Sequence, residues 1–196
     1  MKRQDLKAFK DLDKLHKLLR NKIKKKWNRV LPFNEEIGDR WEKAKFLKFA
    51  KGASIYDSSL VFGDVKVGEN TWVGPFTVLD GTAGLEIGSY CSISTGVQIY
   101  THDSLRWALS GGKKRYEYGP VKIGDRCYFG PNAIVSMGVT IGDRCVIGTC
   151  SFVDKDIPGN SIVFGIPAKI VGKVVVTKKG KIELKFTQGR KNEKSL

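Results

Sequence analysis

The chain carries two histidines, His16 and His102, and four cysteines, Cys91, Cys127, Cys145 and Cys150. The cysteines form no CxxC pair, the spacing that zinc sites use, so no metal is expected and the thiols read as reduced structural groups. Two histidines also fall short of a three-histidine zinc centre. His16 lies in a lysine-rich, helix-patterned stretch, where packing or solvation is its ordinary use. His102 opens an irregular stretch, 101–120, that holds Arg106, Trp107, Lys113, Lys114, Arg115, Tyr116, Glu117 and Tyr118. Histidine is suited to proton transfer near neutral pH, although a lone histidine is more often structural. Trp107, Tyr116 and Tyr118 have ring faces and polar tips that suit a sugar, and the cations suit a phosphate or an acidic sugar. Packing against a neighbouring copy is the alternative use of the same loop.

The element that would hold this loop is a repeat. Ile123, Phe129, Val135, Ile141, Ile147 and Val153 follow one another at intervals of six, with Gly124, Gly130, Gly142 and Gly148 directly behind four of them. That period is neither helical nor alternating; it is the short-repeat pattern of a parallel β-helix, in which each hexapeptide forms one flat side of a coil. The apolar residue points inward, and the turns require small side chains or positive φ. Val61, Val67, Val73 and Leu79 start the series, Gly81 to Gly84 shift the frame by two, and Ile87, Ile93 and Ile99 continue it. The stretch 102–120 is therefore read as a loop thrown out of a rigid coil, where function is commonly placed.

Ahead of the coils, apolar residues at helical spacing run from Leu6 through Phe9, Leu12, Leu15, Leu19, Ile23 and Trp27 to Val30, with Pro32 as the expected stop. Residues 1–30 hold 12 Lys or Arg against three Asp, which is +9 of the chain's formal +15. This basic amphipathic helix suits an anionic membrane surface; packing on the body or on other subunits is the equal alternative. No nucleic-acid module accompanies it, so no nucleic-acid partner is expected. Trp41, Phe46, Leu47 and Phe49 anchor a segment that would cap the open coil. At the other end, Val174 to Val176 and alternating Ile182, Leu184 and Phe186 read as a hairpin, with a polar tail from Gln188. The expected organisation is a helix and cap over 1–53, a β-helix over 54–172 and a hairpin with tail over 173–196. No apolar run approaches a membrane span and no leader is evident, so a cytoplasmic protein is expected, with the inner membrane face as a place of attachment.

Over residues 57–173 the sequence resembles the hexapeptide-repeat acyltransferases, and among them the sugar O-acetyltransferases and xenobiotic acetyltransferases. The resemblance rests on Ile87-Gly-Ser-Tyr-Cys-Ser-Ile-Ser-Thr-Gly96, Thr101-His102, Pro120-Val-Lys-Ile-Gly-Asp125, Gly138-Val-Thr-Ile-Gly142, Lys155-Asp-Ile-Pro158 and Gly165-Ile-Pro-Ala-Lys169. Each motif alone is weak; their order and spacing are specific. The resemblance implies a mainly β protein, a left-handed parallel β-helix that assembles as a homotrimer with acetyl-CoA sites in the clefts between subunits. It places His102 at the position of the family's catalytic base.

Acetyl transfer to a hydroxyl requires a base for the hydroxyl proton, donors for the oxyanion and a water-poor cleft. The resemblance gives the first task to His102, in direct attack within a ternary complex, and the second to a backbone N–H. The partner that orients His102 is open, with Asp103 adjacent in sequence and Glu117 in the same loop. Asp80 falls near the acid that contacts the acceptor in sugar acetyltransferases, and Trp107, Tyr116 and Tyr118 join it as acceptor residues. For acetyl-CoA the resemblance implies Tyr128, Gly130, Gly148, Thr149, Lys155, Pro167 and Lys169. Tyr128 stands in place of a common tryptophan, Asp154 in place of threonine and Pro131 in place of serine. N-acetylation of an amino sugar or its nucleotide conjugate is the rival activity, and a structural β-helix or basic adaptor the non-enzyme reading.

Overall fold

The computed structural model describes residues 3–177 and 179–187; the polar tail expected from Gln188 lies outside them. The repeat folds as a three-faced parallel β-solenoid of about six turns. The first face stacks Ser54–Ile55, Trp72–Val73, Ser92–Ile93, Tyr128–Phe129, Val146–Ile147 and Ser161–Phe164 in parallel register. The second stacks 60–61, 78–79, Gln98–Ile99, Ile134–Val135 and Phe152–Val153. The third stacks 65–67, 85–87, Val121–Ile123, Thr140–Ile141 and Ile157. Leu60–Val67 and Val78–Ile87 each run round a corner from the second face to the third, and a bulge between Gly63 and Val65 absorbs the frame shift.

The counted aliphatics are the core. Val73, Leu79, Ile93, Ile99, Phe129, Val135, Ile147 and Val153 are all 0% exposed. A second inward position, two residues earlier, is also filled: Val97, Ala133 and Val139 on two of the faces, and Cys91, Cys127 and Cys145 on the first. The three thiols form a ladder in which Cys127 N–H donates to Cys91 Sγ, while Sγ of Cys91 and Cys127 donate to the carbonyls of Gly124 and Gly142. They are free, buried and structural, and Cys150 is free and exposed. No cluster of metal-ligating side chains occurs among the described residues.

The turns divide their two requirements between different residues. Positive φ falls on Asn70, Phe76, Tyr90, Arg126, Asn132, Arg144 and Cys150, each two residues after a glycine. The glycines are needed for closeness instead: a Cβ on Gly130 would lie 2.5 Å from the Thr149 backbone nitrogen in the next coil.

Helix α1 spans Arg3–Trp27, α2 Phe33–Ile37 and α3 Arg40–Phe46. The stop of α1 comes earlier than Pro32, at Asn28, which has φ 52° and bonds back to Lys24 O. The segment holding α2 and α3 lies over the first coil. Glu35 accepts the N–H groups of Asp57 and Ser58, and Lys43 Nζ donates to the carbonyls of Tyr56, Asp57 and Ser59. The first helix reaches the body through α2. There His16 packs on Phe33 with its Nε2 3.1 Å from the buried Glu36. Leu6, Phe9, Leu12, Leu15 and Leu18 on the same helix are exposed. No helix among the described residues is long and apolar enough to cross a membrane. At the other end, Lys169–Val176 and Ile182–Phe186 pair antiparallel beside the last strand of the first face.

Candidate active site

The coil register brings the candidate base to its partner. Leu79 and Ile99 are paired neighbours in the second face, so the residues that follow them, Asp80 and 100–102, emerge at the same corner. There His102 Nδ1 lies 2.7 Å from Asp80 Oδ2. The same oxygen accepts the Thr101 N–H at 2.9 Å and its hydroxyl at 3.2 Å. The other oxygen accepts the N–H and the hydroxyl of Thr82. Burial by itself would raise the Asp80 pKa. The bonds from the Thr82 hydroxyl, the Thr101 and Thr82 N–H groups and His102 outweigh it and hold the carboxyl well below the usual range. An ionised carboxylate only accepts, so Nδ1 of His102 carries the proton and Nε2 is left as the basic nitrogen.

The structure shows where the candidate acids lie. The Asp80 side chain is 2% exposed and both oxygens are occupied from within the chain. Neither residue considered as the partner of His102 serves that role. Asp103 accepts the Leu105 N–H, and Glu117 pairs with Arg106 at 3.1 Å. The register carried the missed signal, since Asp80 lies one residue beyond an inward leucine whose stacked equivalent precedes His102 by three.

The loop is folded rather than irregular. His102–Asp103 pair antiparallel with Glu117–Tyr118, and Leu105–Leu109 form a single helical turn, α4. Gly119 N–H returns to Thr101 O, which closes the excursion. Tyr116 lies parallel to the His102 ring at 8° and 6.2 Å between centroids, and Tyr118 lies at the same distance, tilted by 33°. Trp107 meets Tyr116 edge-on at 5.5 Å. Thus Trp107, Tyr116 and Tyr118 do converge with His102, whose side chain is 35% exposed.

The other candidates occupy two places. Tyr128 and Gly130 on one coil, and Gly148 and Thr149 on the next, follow the first face, with Phe164 against Gly148. Lys155 follows the second face, two coils beyond His102, as the bonds from Tyr100 N–H to Val135 O and from Ser136 N–H to Val153 O establish. Pro167 and Lys169 lie in the closing segment, where Ala168 N–H bonds Phe152 O. Lys155 and Lys169 are exposed and form no ion pair among the described residues. Gly130 and Gly148 are buried, and a Cβ on either would meet the Thr149 backbone or the Phe164 ring, so they allow the close approach of coil to coil and of the closing segment.

The family described as the hexapeptide repeat of succinyl-transferase matches residues 120–155. Protein CapG of Staphylococcus aureus is 39% identical over 89 residues, 43% of this chain and 50% of its own length. A galactoside O-acetyltransferase of Escherichia coli is 27% identical over 128 residues, 55% of this chain and 63% of its own. The chain thus spans about half to under two thirds of these relatives. A hexapeptide-repeat acetyltransferase from Vibrio cholerae, solved with acetyl coenzyme A, superposes with a TM-score of 0.56 at 25% identity, covering 80% of this chain and 87% of that one. The chain is thus similar to hexapeptide-repeat acetyltransferases in its repeat and in its fold. The repeat accounts for the solenoid, and the corner at His102 is where the chain departs from a plain repeat.

Proposed function

We propose that the protein transfers an acetyl group from acetyl-CoA to a hydroxyl of a sugar or a polysaccharide precursor. The observation that carries this reading is the Asp80–His102 pair, aimed into a loop of aromatic residues on an acetyltransferase scaffold. A structural solenoid has no use for an ionised, fully hydrogen-bonded carboxylate beneath a half-exposed imidazole. The galactoside acceptor of one relative and the acetyl coenzyme A of the Vibrio structure support the same substrates here.

In this mechanism Asp80 fixes the His102 tautomer, and Nε2 accepts the acceptor hydroxyl proton as its oxygen attacks. The thioester supplies an activated acyl group with a thiolate leaving group. His102 returns the proton to that sulfur. Asp80 steadies the imidazolium formed in between and remains ionised throughout. Trp107, Tyr116 and Tyr118 hold the sugar. Tyr128, Gly130, Gly148, Thr149 and Pro167 line the arm of the acyl donor, and Lys155 and Lys169 meet its phosphates.

The residues after the first face, from Tyr128 and from Gly148, and the corner at His102 lie behind different faces of one prism. They form one groove most simply where two copies meet, which supports a homotrimer with sites between subunits. The +9 of residues 1–30 and the exposed leucines of α1 support attachment of that trimer to an anionic inner membrane face.

The test is a screen of sugars and nucleotide sugars for CoA release, with products identified by mass, followed by His102→Ala. That variant should lose roughly 10²–10⁴-fold in turnover, the usual worth of a general base. Wild-type turnover by a correctly assembled His102→Ala protein would remove the assignment.

A further inference from the structure

A cleft of about 260 Å³ separates the end of α1 from α2, α3 and the first coil. It holds more cationic charge than the chain neutralises. Arg29 and Arg40 both direct Nη1 at one neutral acceptor, the Tyr56 hydroxyl, each at 3.4 Å. Lys22 and Lys26 line the same cleft. The three carboxylates there are already engaged. Glu35 accepts the N–H groups of Asp57 and Ser58, Glu36 faces His16 and Arg20, and Asp39 caps α3 through the N–H groups of Trp41 and Glu42. Among the described residues Lys22, Lys26, Arg29 and Arg40 form no ion pair.

Two guanidiniums that share a phenol oxygen repel each other, and an anion between them would remove that repulsion. Paired arginines present parallel N–H donors that match the oxygens of a phosphate. Arg40 is kept in position by the Trp41 ring, with its guanidinium carbon 4.1 Å from the ring centroid. The rim of the cleft is apolar: Trp27, Ile37 and Trp41 are each 46–60% exposed. Tryptophan beside cations is the usual composition of a surface that meets both a headgroup and the start of an acyl chain.

We infer that this cleft binds the phosphate group of an amphiphile, with Arg29 and Arg40 as the phosphate ligands and Trp27 and Trp41 against its apolar part. The site is separate from His102 and independent of the acetyl-transfer reading. It gives the basic helix a specific contact where the exposed leucines alone offer only a general one.

The experiment sediments the full chain with phosphatidylcholine vesicles, with and without phosphatidic acid, for the parent, for Arg29→Gln/Arg40→Gln and for Lys10→Gln/Lys14→Gln. The last pair removes the same charge from exposed positions of α1 outside the cleft. The arginine variant should bind the phosphatidic acid vesicles about tenfold or more weakly, the expected loss of two charge-assisted contacts, with the lysine variant within about threefold of the parent. Equal losses in the two variants, or none in the arginine variant, overturn the site. Inorganic pyrophosphate is titrated in parallel without lipid. Saturable binding that needs Arg29 and Arg40 and displaces the vesicles supports the same site with a soluble phosphate compound as its source. Parent protein indifferent to both probes overturns it. Melting temperature and CoA release, unchanged in the arginine variant, exclude misfolding as the cause.

Discussion

Replacing Asp80 by asparagine exchanges one acceptor oxygen for an NH2 group at a place where five donors converge: the N–H and hydroxyl of Thr82, the N–H and hydroxyl of Thr101, and His102 Nδ1. A hydroxyl can turn its proton away, but a backbone N–H cannot. If the new amide nitrogen faces Thr82 it meets that N–H, and if it faces Thr101 and His102 it meets the Thr101 N–H. Either orientation leaves buried donors opposed, which costs roughly 1–3 kcal/mol of stability. The catalytic effect is larger. With the amide nitrogen toward His102, Nδ1 must accept, the proton moves to Nε2, and the base is lost. With the amide oxygen toward His102 the tautomer survives, but the imidazolium loses a counter-ion worth up to about 4 kcal/mol at an effective dielectric of 20. That figure is an upper bound, because solvent reaches the 35%-exposed His102 side chain and screens the pair. Both routes give a loss of about 10²–10⁴-fold in kcat. The assay is steady-state CoA release with the identified acceptor, beside a melting curve. Asp80→Asn and His102→Ala should combine with far less than additive losses. An Asp80→Asn protein within about threefold of the parent in kcat would refute the dyad.

Gly130→Ala places a Cβ 2.5 Å from the Thr149 nitrogen, so the two coils must part; stability should fall by about 1–3 kcal/mol in a denaturant titration, the range for overpacked sites. Lys155→Met and Lys169→Met should each raise KM for acetyl-CoA by about fivefold with kcat unchanged, and the difference should shrink in 1 M salt as screening removes the charge term. Arg144, held at φ 54°, should tolerate asparagine with a gain of about 0.5–1 kcal/mol on thermal unfolding, because asparagine accepts the left-handed region more readily. The Asp80 carboxyl has a depressed folded pKa, so its contribution to stability is complete above the ordinary carboxylate range and disappears as pH falls through the folded value. Melting temperature from pH 5 upward should therefore show no step that Asp80→Asn removes, and the two proteins should converge only in strong acid.

The inward aliphatics settle the architecture from sequence alone, because a side chain that recurs every six residues and stacks on its equivalent eighteen residues away leaves a period that can be counted. Phe129 and Ile147 are buried for the reason that they are spaced. The position of His102 at the break in the period is legible for the same reason. Asp80 is different. Its identity as the partner of His102 depends on which coil lies beside which, and the two-residue shift after it disturbs the count along the chain while leaving the stacking of Leu79 on Ile99 intact. Likewise the sequence displays glycines and cationic residues without saying which glycines are packed against backbone, or that Arg29 and Arg40, eleven residues apart, converge on one tyrosine. Periodic burial is a local rule repeated, so composition and spacing record it; hydrogen bonds between coils, and charges gathered by the fold of the cap, are made by neighbours in space, and only the tertiary structure names those.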